Sequence, residues 1–154
     1  SGGIMFPMEM KRKLALHPKM KMLTFTLRGK TRAYAFERLR RNHVVEGKLA
    51  GEHYVVFFEP ATLSLMDTRL VADAGATGSA GLFSSVLDGK RIRFRFAKGE
   101  IRDKKTGSRW NLFGKAVEGP LAGRQLERIE HGVYYAFALL AFYPRAGVGG
   151  LSGY

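Results

Sequence analysis

The sequence predicts a mainly β domain of the β-rich α+β class, folded as a single antiparallel sheet or a partly closed barrel with one or two short helices. Two observations support this class. Short runs in which apolar and polar residues alternate recur along the chain, and turns that contain glycine separate them. Only two stretches have helical character, one basic and one apolar. We expect about seven to nine short strands.

The first two strands form a predicted hairpin. In residues 23–27, leucine and phenylalanine alternate with threonine, and Gly29 permits a turn before a second strand at residues 31–36. A run of three arginines then suits one short helix with a polar face: Arg38, Arg40 and Arg41.

Two further strands are predicted at residues 44–45 and 54–58, around a loop at residues 47–51. The second strand is almost continuously apolar, as is typical of strands buried on both faces, so we expect it in the centre of the sheet. Small residues dominate residues 72–81 and predict a loop. Its glycines could present N–H groups to an anion, or the loop could be only a flexible connection.

Residues 90–96 have the clearest strand pattern, with apolar residues on one face and arginines on the other. A hairpin follows, with strands at residues 100–103 and 109–113 around a turn at residues 104–107. Beyond a loop with a Gly-Pro break, we predict a last strand at residues 125–129 and an apolar helix at residues 134–142.

The length of 154 residues predicts one domain with a hydrophobic core. We divide the chain into a basic, methionine-rich lead at residues 1–22, a β-rich domain at residues 23–144 and a glycine-rich tail at residues 145–154, which is expected to be mobile. The lead begins with Ser1-Gly2-Gly3, which resembles a cloning remnant. The chain has no cysteine, which excludes a disulfide, a thiolate nucleophile and a cysteine-ligated zinc.

The chain carries 26 lysines and arginines against 13 aspartates and glutamates, a formal charge of +13. This charge favours an anionic partner, such as nucleic acid, anionic lipid or an acidic protein, although it is also compatible with an ordinary solvated surface. The longest apolar stretch, residues 133–143, has about half of the roughly 20 apolar residues that a membrane span needs. We therefore expect no transmembrane segment.

The arginine face of the strand at residues 90–96 is the predicted ligand-binding surface, because guanidinium groups bind phosphates and carboxylates through paired hydrogen bonds. Its arginines could instead pair with acidic neighbours such as Glu100 or Asp103. Trp110 could stack on a planar ligand, or it could be the largest side chain of the core. The predicted ligand-binding residues are Arg91, Arg93, Arg95, Arg109 and Trp110.

The lead offers a second type of site. Sulfur ligands near a histidine can bind Cu(I), and His17 lies among several methionines; alternatively, these methionines belong to a flexible arm or fill apolar gaps. The methionines are Met5, Met8, Met10, Met20 and Met22.

Residues 106–123 combine turn glycines, the only tryptophan and the Gly-Pro break. This stretch resembles the core of the domain of unknown function 3179 family, which has no established activity. Residues 29–36 resemble its opening hairpin, residues 42–51 its histidine-containing segment and residues 133–144 its aromatic closing helix. The resemblance covers residues 23–144. Because members of this family are often exported, it implies an extracytoplasmic location, with the cytoplasm as the alternative.

One position departs from the family pattern. Many relatives carry a Cys-Pro turn after the strand at residues 54–58, whereas this chain has Glu59-Pro60. A metal or redox task of that cysteine in relatives would be lost here or transferred to a carboxylate. His43 occupies the position of the family's histidine, which makes His43 and Glu59 the candidate pair, as metal ligands or as a hydrogen-bonded couple; they could also be two separately satisfied polar groups.

Two classes of function follow. The first is a non-catalytic binding or accessory module whose basic sheet face engages an anionic partner. The second is an enzyme or sensor that depends on a metal or a small ligand, with a divalent metal or copper as the possible cofactor. Known catalytic motifs are absent from the sequence, so we favour the first class. The candidate metal ligands are His43, Glu59, Asp67 and His131.

Overall fold

A computed structural model of the protein describes residues 8–60 and 78–142. These residues form helices α1 (Met8–Leu16), α2 (Phe36–Asn42) and α3 (Ala136–Phe142). The strands are β1 (Lys21–Leu27), β2 (Lys30–Ala35), β3 (Val44–Leu49), β4 (Glu52–Glu59), β5 (Ser79–Ser84), β6 (Val86–Leu87), β7 (Lys90–Arg91), β8 (Phe94–Ala97), β9 (Glu100–Asp103), β10 (Arg109–Trp110), β11 (Ala116–Glu118) and β12 (Gly132–Tyr135).

The β-rich α+β class is confirmed. The strands form several antiparallel sheets, and within the described residues none of these sheets closes into a barrel. The chain contacts define two compact units. The first contains residues 1–38, 49–52 and 130–154, and the second contains residues 39–48 and 53–129.

The first unit is built on the sheet β12-β1-β2, whose strands are antiparallel. Helices α1 and α3 pack against each other. The core of this unit brings together one residue of α1, two of α3 and three of the sheet: Leu14, Met22, Ala33, Ala35, Ala136 and Leu139.

Helix α1 is a difference from the sequence prediction, which assigned no helix or strand to the lead at residues 1–22. Residues 8–16 are all methionine, glutamate, lysine, arginine, leucine or alanine, the residues with the highest helix propensity. Leu14 fixes the helix on the core with no exposed surface. Pro18 follows the helix at a position where a helix commonly stops.

The second unit contains the sheets β3-β4-β5 and β11-β10-β9-β8 and the hairpin β6-β7. Strand β4 lies between its two neighbours, and residues 54–58 are fully buried, which confirms the prediction of a central strand. The core consists of apolar residues from both sheets and the following loops: Val55, Phe57, Phe83, Phe94, Ile101, Trp110, Ala116 and Leu126.

Three predicted elements differ in the structure. Residues 90–96 form two short strands, because the Ile92 N–H bonds to Ser85 in the β6 region whereas the Arg93 carbonyl accepts from Lys104, beyond β9. Residues 125–129 make only isolated bridges, since their hydrogen bonds go to several different segments. Residues 132–135 belong to β12, where the aromatic and β-branched side chains pair with β1, and the last helix begins at Ala136.

Four two-residue turns have positive φ at both residues, the backbone of a type I′ turn. Each ends in glycine: Arg28-Gly29, Ala50-Gly51, Asp88-Gly89 and Lys98-Gly99.

Membrane-spanning length is not reached by any helix in residues 8–60 and 78–142.

Candidate functional site

The second unit contains a cavity of about 390 Å³ that both His43 and Glu59 line. We call it the His43 cavity. It forms where the chain leaves α2, where β4 ends, and along the edge of β9 and β10. The lining residues are His43, Phe58, Glu59, Pro60, Phe96, Gly99, Glu100, Ile101, Arg109, Trp110 and Asn111.

The backbone of His43 is held on both sides. Its N–H donates to the Leu39 carbonyl at 2.7 Å, which closes the last turn of α2, and its own carbonyl accepts from the Phe58 N–H at 2.8 Å. The residue has φ of +62°, a left-handed conformation that histidine tolerates better than most side chains. The end of α2 thereby fixes the imidazole beside β4.

The imidazole of His43 is oriented by two contacts. Its ring stacks on Phe96 with the centroids 4.1 Å apart and the planes 9° from parallel. Its Nδ1 lies 3.2 Å from the Phe58 carbonyl oxygen. A carbonyl only accepts hydrogen bonds, so Nδ1 carries the proton, and the neutral ring has its lone pair on Nε2.

Glu59 is the last residue of β4 and pairs with Ser79 of β5. Gly78 passes close to this strand end, where a methyl group on it would lie 2.9 Å from the Pro60 Cα. Within the described part of the chain, no residue forms a hydrogen bond or an ion pair with the Glu59 carboxylate. Glu59 therefore supplies the cavity with a carboxylate that its described neighbours do not use.

Glu100 and Arg109 belong to a network of four charges on the sheet β11-β10-β9-β8. Glu100 accepts from Arg102 at 2.9 Å and lies 3.7 Å from the Arg109 Nε, and Glu118 lies 3.4 Å from Arg109. Glu100 therefore pairs with Arg102 and Arg109. Within the described residues no ion pair joins it to Arg91, Arg93 or Arg95, the partners that the sequence suggested.

The register of strands β8, β9 and β10 explains why Arg102 was not among the predicted ligand-binding residues. Arg95 pairs with Arg102, and Arg102 pairs with Arg109, so these arginines form a row across three strands. The alternating pattern of residues 90–96 predicts a row along one strand instead. The signal that would have found this row is the Lys98-Gly99 turn, because a two-residue turn fixes Arg95 opposite Arg102.

Trp110 is part of the core, with 2% of its surface exposed. Of the two alternatives given by the sequence, this is the one in which Trp110 is a core side chain. Its ring meets Phe94 edge to face at 5.4 Å, and its Nε1–H donates to the Asp103 carboxylate at 3.0 Å. The part of the residue that reaches the His43 cavity contributes to the cavity wall.

Asp103 is fully buried, and its carboxylate also accepts from the Thr106 N–H at 2.6 Å and from the Thr106 hydroxyl. Burial alone would raise the pKa of Asp103, but the hydrogen bonds from Trp110, Thr106 and Ser108 hold that pKa below its ordinary value. Asp103 is an anchor of the turn at residues 103–108. The sequence signal is an aspartate three residues before a threonine in a glycine-containing turn.

The stretch at residues 106–123 uses its polar side chains to hold its own loops. The buried Ser108 hydroxyl lies 2.6 Å from the Thr106 hydroxyl and accepts from the Leu121 N–H. The Asn111 side chain accepts from the backbone N–H groups of Phe113 and Lys115. The residues that make this stretch recognisable therefore act mainly in folding.

Two further metal ligands were predicted, Asp67 and His131. Asp67 lies outside the described residues. His131 immediately precedes β12 in the first unit and is not a lining residue of the His43 cavity. Within residues 8–60 and 78–142 there is no group of three histidine or acidic side chains with the geometry of a metal site.

The methionines of the lead are divided between surface and core. Met8 is 73% exposed, whereas Met22 is fully buried in the core of the first unit and Met20 packs against that core. Met5 lies outside the described residues, and so does the small-residue loop up to residue 77. His17 lines a separate shallow cavity of the first unit with Met20 and Glu37.

Arg91, Arg93 and Arg95 are all exposed, but the break in the strand separates them. Arg91 and Arg93 lie near His53, together with Lys48 of β3. Burial of the imidazole and the positive charges of Arg91, Lys48 and Arg93 lower the pKa of His53. Its Nδ1 is buried and has no hydrogen-bond partner among the described residues.

Sequence comparison identifies the lineage of this fold. The family model described as Protein of unknown function (DUF3179) matches residues 1–146. The chain belongs to this family. No curated protein and no solved structure matches it. The structure places His43 and Glu59, the pair that the family resemblance singled out, in the lining of one cavity.

Proposed function

We propose that this DUF3179 protein is a non-catalytic binding module whose His43 cavity takes a small organic amine with an apolar, preferably aromatic, body. The proposal rests on one observation, that His43 and Glu59 line the same cavity. The proposal takes the small ligand at His43 and Glu59 from the second predicted class and the absence of catalysis from the first; the anionic partner of the first class is not part of it.

The polar groups of the cavity favour a ligand that donates hydrogen bonds. Since Nδ1 of His43 is engaged with the Phe58 carbonyl, Nε2 is the ring nitrogen left to accept a hydrogen bond. The Glu59 carboxylate is a second acceptor, and it is negatively charged. The positive charge of Arg109 is compensated by Glu100 and Glu118. An ammonium group matches this combination, because it offers three donors and a positive charge.

The walls favour a flat apolar body. Aromatic and aliphatic side chains provide much of the lining: Phe58, Pro60, Phe96, Ile101 and Trp110. The volume of about 390 Å³ lies within the range of small-molecule sites, where apolar walls supply affinity and a few polar groups fix the orientation. Phe96 is already stacked on His43, so the ligand would extend an existing aromatic contact.

A metal ion is a weaker fit to the described side chains. Catalytic zinc sites use three protein ligands, whereas His43 and Glu59 are the two predicted ligands that this cavity brings together. Glu100 lines the same cavity but is bound to arginines. We therefore favour the organic amine over the metal.

The proposal is tested with the intrinsic fluorescence of Trp110, the only tryptophan of the chain and a wall of the cavity. We expect benzylamine to change the emission of Trp110 saturably. Benzoate, which has the same ring and the opposite charge, should bind at least about tenfold more weakly, a difference of about 1.4 kcal/mol.

Two cavity variants and one control localise the binding. Glu59→Gln removes the charge, and His43→Asn removes Nε2 while asparagine tolerates the left-handed backbone. Each should weaken benzylamine binding by about tenfold or more, in line with a hydrogen bond to a charged group. Glu127→Gln makes the same chemical change at an exposed residue outside the cavity and should have no effect. Equal binding of amine and acid, or full binding by Glu59→Gln, would contradict the proposal.

A further inference from the structure

A second cavity of the second unit, of about 200 Å³, is lined by more basic than acidic side chains. We call it the basic cavity. Its four basic residues come from three separate segments of the chain: Lys90 and Arg91 from β7, Lys105 from the turn after β9, and Arg124 from the loop after β11.

The two acidic residues of this cavity are already engaged. The Asp103 carboxylate is buried and accepts hydrogen bonds from Trp110 and Thr106. Asp88 forms an ion pair of 2.7 Å with Arg124. Among the described residues, no ion pair is formed by the side chains of Lys90, Arg91 or Lys105. The cavity therefore has an excess of positive charge.

The floor of the basic cavity strengthens its attraction for an anion. Leu87, Ile92 and Leu121 are apolar and partly buried. Charges beside an apolar surface are less screened than charges that are fully surrounded by water, so each attracts an anion more strongly. A cavity of about 200 Å³ suits a compact anionic group better than a long charged strand.

We propose that the basic cavity binds a terminal phosphate group, held by Lys90, Arg91 and Lys105. The recognised chemistry is a compact dianion, which a small phosphate monoester or pyrophosphate presents. A phosphodiester backbone has one charge per phosphate and no free end, so it matches a small cavity lined by these three cations less well than a terminal phosphate does. The site is distinct from the His43 cavity and does not depend on the amine proposal.

His53 provides a reporter within the protein. Arg91 is shared by the basic cavity and by the group of cations that lowers the pKa of His53. An anion bound to Arg91 offsets part of this positive charge, so the pKa of His53 should rise when the cavity is filled. The ring resonances of His17, which belongs to the first unit, should not move.

The test is a titration of the full chain with pyrophosphate. Calorimetry measures the affinity, and NMR records the ring resonances of His53 during the titration. The double variant Lys90→Gln, Lys105→Gln should lose at least about tenfold in affinity. The matched control Lys98→Gln, Lys104→Gln removes the same charge from two exposed lysines that do not line the cavity and should bind pyrophosphate normally. Circular dichroism checks that both double variants are folded.

Two comparisons complete the experiment. The affinity for an oligonucleotide that carries a 5′-phosphate should fall when Lys90 and Lys105 are replaced. The affinity for the same oligonucleotide without the phosphate should not change with these replacements. Equal losses in the two double variants would show that net charge alone attracts the anion and would overturn the proposal. It would also be overturned if the unphosphorylated oligonucleotide depended equally on Lys90 and Lys105, or if pyrophosphate failed to move the His53 resonances.

Discussion

Asp103 has a different role in the structure from the ion-pair partner that the sequence suggested. From sequence it is a possible partner for surface arginines, but in the structure it is buried and accepts hydrogen bonds from Trp110 and Thr106. A carboxylate can remain charged in such a place because several hydrogen bonds replace its hydration. Its charge therefore stabilises the turn and the indole.

We expect Asp103→Ala to lower the free energy of unfolding by about 2–4 kcal/mol, because it leaves the Trp110 indole N–H and the Thr106 N–H without their acceptor. Urea unfolding at neutral pH, followed by circular dichroism, measures this loss. Asp88→Asn changes an exposed aspartate of the same unit and should cost much less. Equal costs for the two variants would argue against the anchoring role.

The lowered pKa of Asp103 also predicts a dependence on pH. The unfolded chain binds this proton more readily than the folded chain, so the stabilisation is complete above the ordinary range of aspartate. It is lost as the pH falls through the lower pKa of the folded state. Asp103→Asn lacks this contribution, so its free energy of unfolding should fall less steeply than that of the natural chain below about pH 4.

At His43 and Glu59, the sequence predicted the pair but not its geometry. The family resemblance pointed to both positions, which lie 16 residues apart in the chain. Their meeting depends on the left-handed end of α2 and on the hydrogen bonds between His43 and Phe58. Those are contacts between segments, which residue types alone do not specify.

Turns explain most of what could be predicted at the level of elements. The four two-residue turns follow from glycine positions, and they fix the register of the strands that they join. The break at Ile92 and Arg93 could not be predicted in this way, because alternation continues through it. The break arises when the chain changes partner from the β6 region to β9. Helix α1 was missed since its signal is propensity rather than periodicity.

The turn at Ala50-Gly51 offers a stabilising change. Ala50 has φ of +52°, which is unfavourable for alanine and better tolerated by asparagine. We expect Ala50→Asn to raise the free energy of unfolding by about 0.5–1 kcal/mol, because Asn-Gly is a preferred pair for this turn type. Thermal unfolding measures the gain. The opposite change at Asp88-Gly89, Asp88→Ala, should destabilise, and a loss of stability in Ala50→Asn would contradict the turn assignment.

Within the second unit, stability should be highest along β4. The strand lies between β3 and β5, and residues 54–58 have no exposed side-chain surface. Amides of this kind open only when a large part of the unit unfolds. Hydrogen exchange should therefore be slower at residues 54–58 than at β6 and β7, which form a two-stranded hairpin. Faster exchange in β4 than in this hairpin would contradict the assignment.

At the scale of the molecule, the fold class, the central strand and the positive charge were predictable from sequence. The division of the strands among several sheets was not, because it depends on which distant segments pair. The net charge of +13 predicted an anionic partner in general. Only the structure separates the charges compensated by Glu100 and Glu118 from those that line the basic cavity.

The self-contained hydrogen bonding of residues 106–123 has a consequence for inheritance. Ser108, Thr106 and Asn111 serve the loops that contain them, so a cavity residue that lies outside this stretch can change without breaking these hydrogen bonds. Glu59 lines the cavity from outside residues 106–123 and is a residue of this kind. Shared ancestry in this lineage would then guarantee a common framework, while what each member binds could diverge.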